Sequence, residues 1–120
     1  MIYRDLIRRI KEAAGASYDS AQDVLELVVE KVAVHLSDPM RREFAANLPR
    51  ELQSAAQMVP TVQHLDEDIV GQLMDLEDID EVGARARIKA AWQALCDMFD
   101  SHEVSEITAE LPYQVVAVLE

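Results

Sequence analysis

The chain has 120 residues, half of them apolar, which suits a single domain with a shared core. Its 23 acidic and 11 basic side chains give a formal charge of −12, which repels nucleic-acid phosphates and anionic membranes and favours basic partners. Cys96 is the only cysteine, so an intramolecular disulfide is excluded and a cysteine-based zinc site is not expected.

The N-terminal stretch lacks the apolar h-region and small-residue cleavage site of a signal peptide. Its arginines loosely suggest a transit peptide, but Asp5 and Glu12 argue against one. The apolar runs are too short for a transmembrane segment, and a cytoplasmic location is expected.

A first helix is expected over 2–14, where Ile2, Leu6, Ile7, Ile10 and Ala13 recur at helical spacing as one buried stripe. Arg4, Arg8 and Lys11 line the opposite side. Gly15 suits a left-handed position just past the helix, and Ser17 an N-cap for the next. The second helix, 18–36, buries Leu25, Val28, Val29, Val32 and Leu36, and the helix dipole accounts for His35 near its C-terminus. A third helix, 39–47, is expected to be capped by Asp38 with Pro39 at its first position. Leu48-Pro49 ends it, because a residue before proline is pushed out of the α region. A short fourth helix, 49–58, carries Leu52.

After a linker near 60–64 the pattern returns at an offset of 63 residues. Helices are expected over 66–77, 81–99, 102–110 and 112–119. Leu65, Ile69, Val70, Leu73 and Leu76 repeat the first stripe, and Ile88, Ala91, Trp92, Leu95 and Phe99 repeat the second. Asp80 and Ser101 stand where Ser17 and Asp38 stood, and Leu111-Pro112 where Leu48-Pro49 stood. Only six of the 57 aligned pairs are identical, so the repeat rests on coincident apolar positions and helix punctuation instead. The expected fold is all-α: a tandem duplication of a roughly 60-residue four-helix unit, with repeats 1–60 and 64–120 packed as one helical bundle domain over 1–120. Half the chain, about 60 residues, would bury too little surface to be more than marginal alone.

This arrangement resembles a bacterial two-repeat helical family catalogued as domain of unknown function 2267. The likeness lies in the repeated helix pattern and a recurrent LP-x-E-L element, here Leu48-Pro49-Arg50-Glu51-Leu52. The second copy departs from that element, reading Leu111-Pro112-Tyr113-Gln114-Val115. The resemblance implies the fold and a bacterial cytosolic setting, and it brings no catalytic residues with it.

The halves differ most in charge. Residues 1–60 carry 8 basic and 9 acidic side chains, net −1, whereas residues 61–120 carry 3 and 14, net −11. Where the first helix has Arg4, Arg8 and Lys11, the second copy has Glu67, Gly71 and Met74. That stripe is the candidate partner-binding surface, for an acidic protein, a phosphorylated ligand or lipid headgroups. The plainer reading is a solvated helix face. Attraction to the acidic half, within one chain or between two, is a third.

The acidic run Asp75-Leu76-Glu77-Asp78-Ile79-Asp80-Glu81 fails as a calcium loop, since Asp80 stands where glycine is required and Ala86 where glutamate is. It reads instead as a helix-capping turn. His102 and Glu106, four apart, make at most half of a metal site. Cys96 and Trp92 both read as core residues. Nucleophile motifs and glycine-rich phosphate loops are absent. No catalytic residue, metal or cofactor is therefore expected. The function expected is a non-enzymatic helical protein-interaction or regulatory module, with a protein partner or self-association and no nucleic acid. The alternative is a small-ligand carrier binding between the two repeats.

Overall fold

In the computed structural model, residues 2–57 and 68–120 are described, and the linker near 60–64 with its His64 lies outside them, as do residues 66 and 67. Eight α-helices and no strand occur among the described residues. They are α1 (Tyr3–Ala14), α2 (Tyr18–Val34), α3 (Asp38–Ala46), α4 (Arg50–Gln57), α5 (Ile69–Glu77), α6 (Glu81–Cys96), α7 (Ser101–Glu110) and α8 (Tyr113–Leu119).

Local chemistry explains most helix boundaries. Gly15 ends α1 at φ 66°, its N–H donating to Lys11 O, in the left-handed conformation that glycine adopts without a Cβ penalty. Ser17 and Asp80 cap α2 and α6 as expected: Ser20 N–H donates to Ser17 Oγ at 3.1 Å and Gly83 N–H to Asp80 Oδ1 at 2.8 Å. For α3 and α7 the caps lie one residue earlier than expected. Ser37 and Asp100 are the N-caps, and Asp38 and Ser101 are already helical. Pro39 is thereby moved to the second helical position. Asp100 wins over Ser101 because it closes a reciprocal capping box with Glu103, the bonds measuring 2.7 and 3.2 Å. Pro49 and Pro112 stand just before α4 and α8.

α2 and α6 pack against each other at the centre. Each also carries a shorter helix from the far half of the chain, α1 lying on α6 and α5 on α2. In α2, Leu25, Val28, Val29 and Val32 are buried, and in α6 so are Ile88, Ala91, Trp92 and Leu95; Leu36, buried, and Phe99, partly buried, lie beyond the ends of these helices, which are shorter than the expected 18–36 and 81–99. The two halves thus contribute to one continuous apolar core. The radius of gyration, 13.1 Å, is close to the ~14 Å expected of a compact chain of this length.

The α1 stripe is rotated from the expected one. Tyr3, Leu6, Ile7 and Ile10 are buried, while Ile2 and Ala13 are exposed. Tyr3 takes the inward place, its ring buried and its hydroxyl close to Gln22 and Glu26 of α2. Leu76, expected in the matching stripe, is exposed in the last turn of α5.

Candidate functional site

Successive turns of α1 present its basic side chains. Because Leu6, Ile7 and Ile10 must face the core, positions 4, 8 and 11 face away from it. Arg4, Arg8 and Lys11 are all exposed there. Arg8 Nη2 reaches Asp5 Oδ1 at 3.1 Å along the same helix. The side chains of Arg4 and Lys11 make no hydrogen bond or ion pair with a described residue. Arg9 turns to the side instead and pairs with Asp97 beyond α6. Of the arginines in α1, then, Arg9 bridges to the acidic half while the stripe itself stays open. An open groove of about 350 Å³ runs beside that bridge, between Ala13 and Ala90.

The seam between α3 and α7 is filled. Phe44 stacks on Phe99 with ring centroids 5.7 Å apart. The space left beside them is about 10 Å³, no more than one water needs. Polar bonds close its edges. Ser37 N–H donates to Glu110 Oε1 at 2.7 Å, and Asn47 Nδ2 donates to Glu103 Oε2 at 3.3 Å. A carboxylate from α7 thereby serves the N-cap of α3, a contact invisible to local pattern.

Polar side chains also meet where α2, α5 and α6 join. Arg87 Nη1 donates to Ser20 Oγ at 2.6 Å, and the Glu77 carboxyl lies beside Asp23. Burial pushes the Glu77 carboxyl up, the Asp23 contact adds to this, and Arg87 and Ser20 oppose it. Ser20 and Arg87 escaped the sequence reading, although their register holds a signal. Ser20 precedes the buried pair Ala21 and Val24, and Arg87 lies between Ala84 and Ala91 on the core-facing side of α6.

The remaining candidates are simpler. His102 Nε2 lies 2.8 Å from Glu106 Oε1 on an exposed face, and no group of three metal-ligating side chains converges among the described residues. In the acidic run, Asp80 caps α6 and Asp78 takes a left-handed conformation at φ 53°, as a helix-capping turn should. Trp92 is buried. The half-buried Cys96 thiol is pushed up to about 11 by burial first, then by Asp97 and Glu120. At neutral pH it stays protonated and a poor nucleophile.

This arrangement of eight helices accounts for nearly the full span of one family match, to proteins described as "Uncharacterized conserved protein (DUF2267)", which covers residues 3–118. The chain belongs to that family. The match begins at the first residue of α1 and ends within α8, so it takes in the basic face, the α3–α7 seam and the buried polar junction alike. It agrees with the resemblance carried by the Leu48-Pro49 element. Neither the curated proteins nor the solved structures contain a match. No helix among the described residues is long and apolar enough to cross a membrane.

Proposed function

We propose that this chain is a non-enzymatic protein-interaction module of two helical repeats, folded as one domain, whose α1 face binds an acidic protein surface. The carrying observation is the open stripe: Arg4, Arg8 and Lys11 are exposed together, and two of them have no partner among the described residues. On a chain of charge −12, such a local positive face orients an acidic partner by electrostatic complementarity.

Duplication is supported by punctuation. Helices start at Tyr18 and Glu81, at Asp38 and Ser101, and at Arg50 and Tyr113, each pair 63 positions apart. Left-handed residues at Gly15 and Asp78 and N-caps at Ser17 and Asp80 keep the same offset. Folding as one domain is supported by the crossed packing of α1 on α6 and α5 on α2. A bacterial cytosolic setting belongs to the same proposal. The ligand-carrier reading is the second one: the α3–α7 seam is packed with aromatic rings, and the open groove between Ala13 and Ala90 is where a ligand between the repeats would sit.

Affinity capture from the native cell tests the proposal, with the wild-type chain and an Arg4→Glu, Arg8→Glu variant as parallel baits. The expected result is an acidic partner, or a second copy of the chain, held by the wild type and lost from the variant. Equal recovery on both baits would defeat the proposal.

A further inference from the structure

The carboxylates around the turn from α5 to α6 are not equally engaged. Asp80 is spent as the cap of α6, and Glu81 pairs with Arg85 at 3.4 Å. Asp75 and Asp78 are exposed, and their side chains make no hydrogen bond or ion pair with a described residue. Both stand at the C-terminal end of α5, whose last turn holds no basic residue. The partial negative charge of a helix C-terminus favours a cation there, and α5 offers carboxylates instead. Arg87 of α6 is committed to Ser20. Leu76 and Val82, 61% and 77% exposed, flank the same turn.

The α1 face has the opposite character. Arg4, Arg8 and Lys11 span about 10 Å of one helix face and are exposed together. Arg9 reaches Asp97 within the chain, yet no side chain of the stripe bonds to a described residue of the α5–α6 turn. Folding thus leaves both surfaces unmatched. We propose that the α1 face of one copy docks on the α5–α6 turn of a second copy. This rests on the reading of α1 as a docking face and names the acidic surface it takes. Arginine and lysine suit that surface in two ways. Their charged heads meet Asp75 and Asp78, while their methylene stems cover Leu76 and Val82. The Arg8–Asp5 pair is exposed and readily exchanged for an intermolecular one.

The two surfaces lie on different helices, so the contact is heterologous. A copy that docks by α1 still presents its own turn to the next, and association runs head to tail past the pair. The charge of −12 on each copy opposes this at long range. Screening confines that repulsion to about 8 Å at about 0.15 M salt, whereas about 1 M salt, with a screening length of about 3 Å, weakens the contact pairs too. Association is therefore strongest at intermediate salt.

Sedimentation equilibrium at about 0.15 M salt tests the proposal with two variants. Arg4→Glu, Arg8→Glu spoils the α1 face, and Asp75→Asn, Asp78→Asn spoils the turn. Asparagine tolerates the left-handed backbone at position 78, and helical circular dichroism checks that both variants fold. Wild-type mean mass is expected to rise with concentration and to pass that of a pair. Each variant alone is expected to stay at the mass of a single chain. Mixed in equal amounts, the variants are expected to reach the mass of a pair and stop, since only one intact face and one intact turn remain between them. A mixture that stays at single-chain mass overturns the pairing. A wild type that stays single overturns self-association alone, because loss of a captured acidic protein from the α1 variant would still stand. Equal association of wild type and α1 variant removes the α1 face from both readings.

Discussion

Gly15 and Asp78 hold the same left-handed backbone region at the ends of α1 and α5, at unequal cost. Glycine enters that region freely, whereas an L side chain pays about 1–2 kcal/mol, less for aspartate. Gly15→Ala should therefore lower unfolding stability by about 1 kcal/mol, and Asp78→Gly should raise it by about 0.5–1 kcal/mol. Urea unfolding of the two variants checks both signs. Cys96 gives a chemical readout at the same scale. With its thiol raised to about 11, it should react with a disulfide reagent at pH 8 far more slowly in the folded chain than in urea. Equal rates would show that the thiol is not held in its buried setting. These residue-level features were largely legible in advance. Gly15, Ser17 and Asp80 act as their chemistry dictates, because caps and left-handed turns depend on neighbours within a few positions. The third-helix caps were misplaced by one residue, since Ser37-Asp38 and Asp100-Ser101 each offer two adjacent capping side chains and only the geometry selects between them.

Helix α1 shows what period alone leaves open. Positions 2 and 3 both continue the stripe of Leu6 and Ile10, so the helix could roll towards Ile2 or towards Tyr3. Tyr3 is buried facing side chains of α2 and α4, and those partners lie outside the helix's own pattern. The same limit hid the junction of Ser20 with Arg87, 67 positions away. At the level of paired elements, the α3–α7 seam should carry far more stability than the α1–α6 bridge. Phe44→Ala should cost about 3–5 kcal/mol, since a fully buried ring is lost from a filled seam. Asp97→Ala removes one side of an exposed ion pair and should cost less than about 1 kcal/mol. Thermal unfolding of the two variants compares them directly, and similar losses would contradict this ranking.

For the whole molecule, the crossed arrangement makes each half depend on the other. α1 finds its apolar partner in α6, and α5 finds one in α2. Fragments 1–57 and 68–120 should each show little helical circular dichroism alone and regain it when mixed. Independent folding of either would remove the shared core from the account. The division of charge was plain from the sequence, as was the exposure of Arg4, Arg8 and Lys11. What the stripe meets could not be read there, because a solvated face and a docking face have the same composition and differ only in what approaches them. The decisive measurement is the affinity of the captured partner for wild-type chain and for the Arg4→Glu, Arg8→Glu variant, with the thermal midpoint recorded alongside. An affinity at least about tenfold weaker, a difference of about 1.4 kcal/mol, with the midpoint unchanged is the predicted result. Equal affinity would contradict the account and leave the stripe as solvated surface.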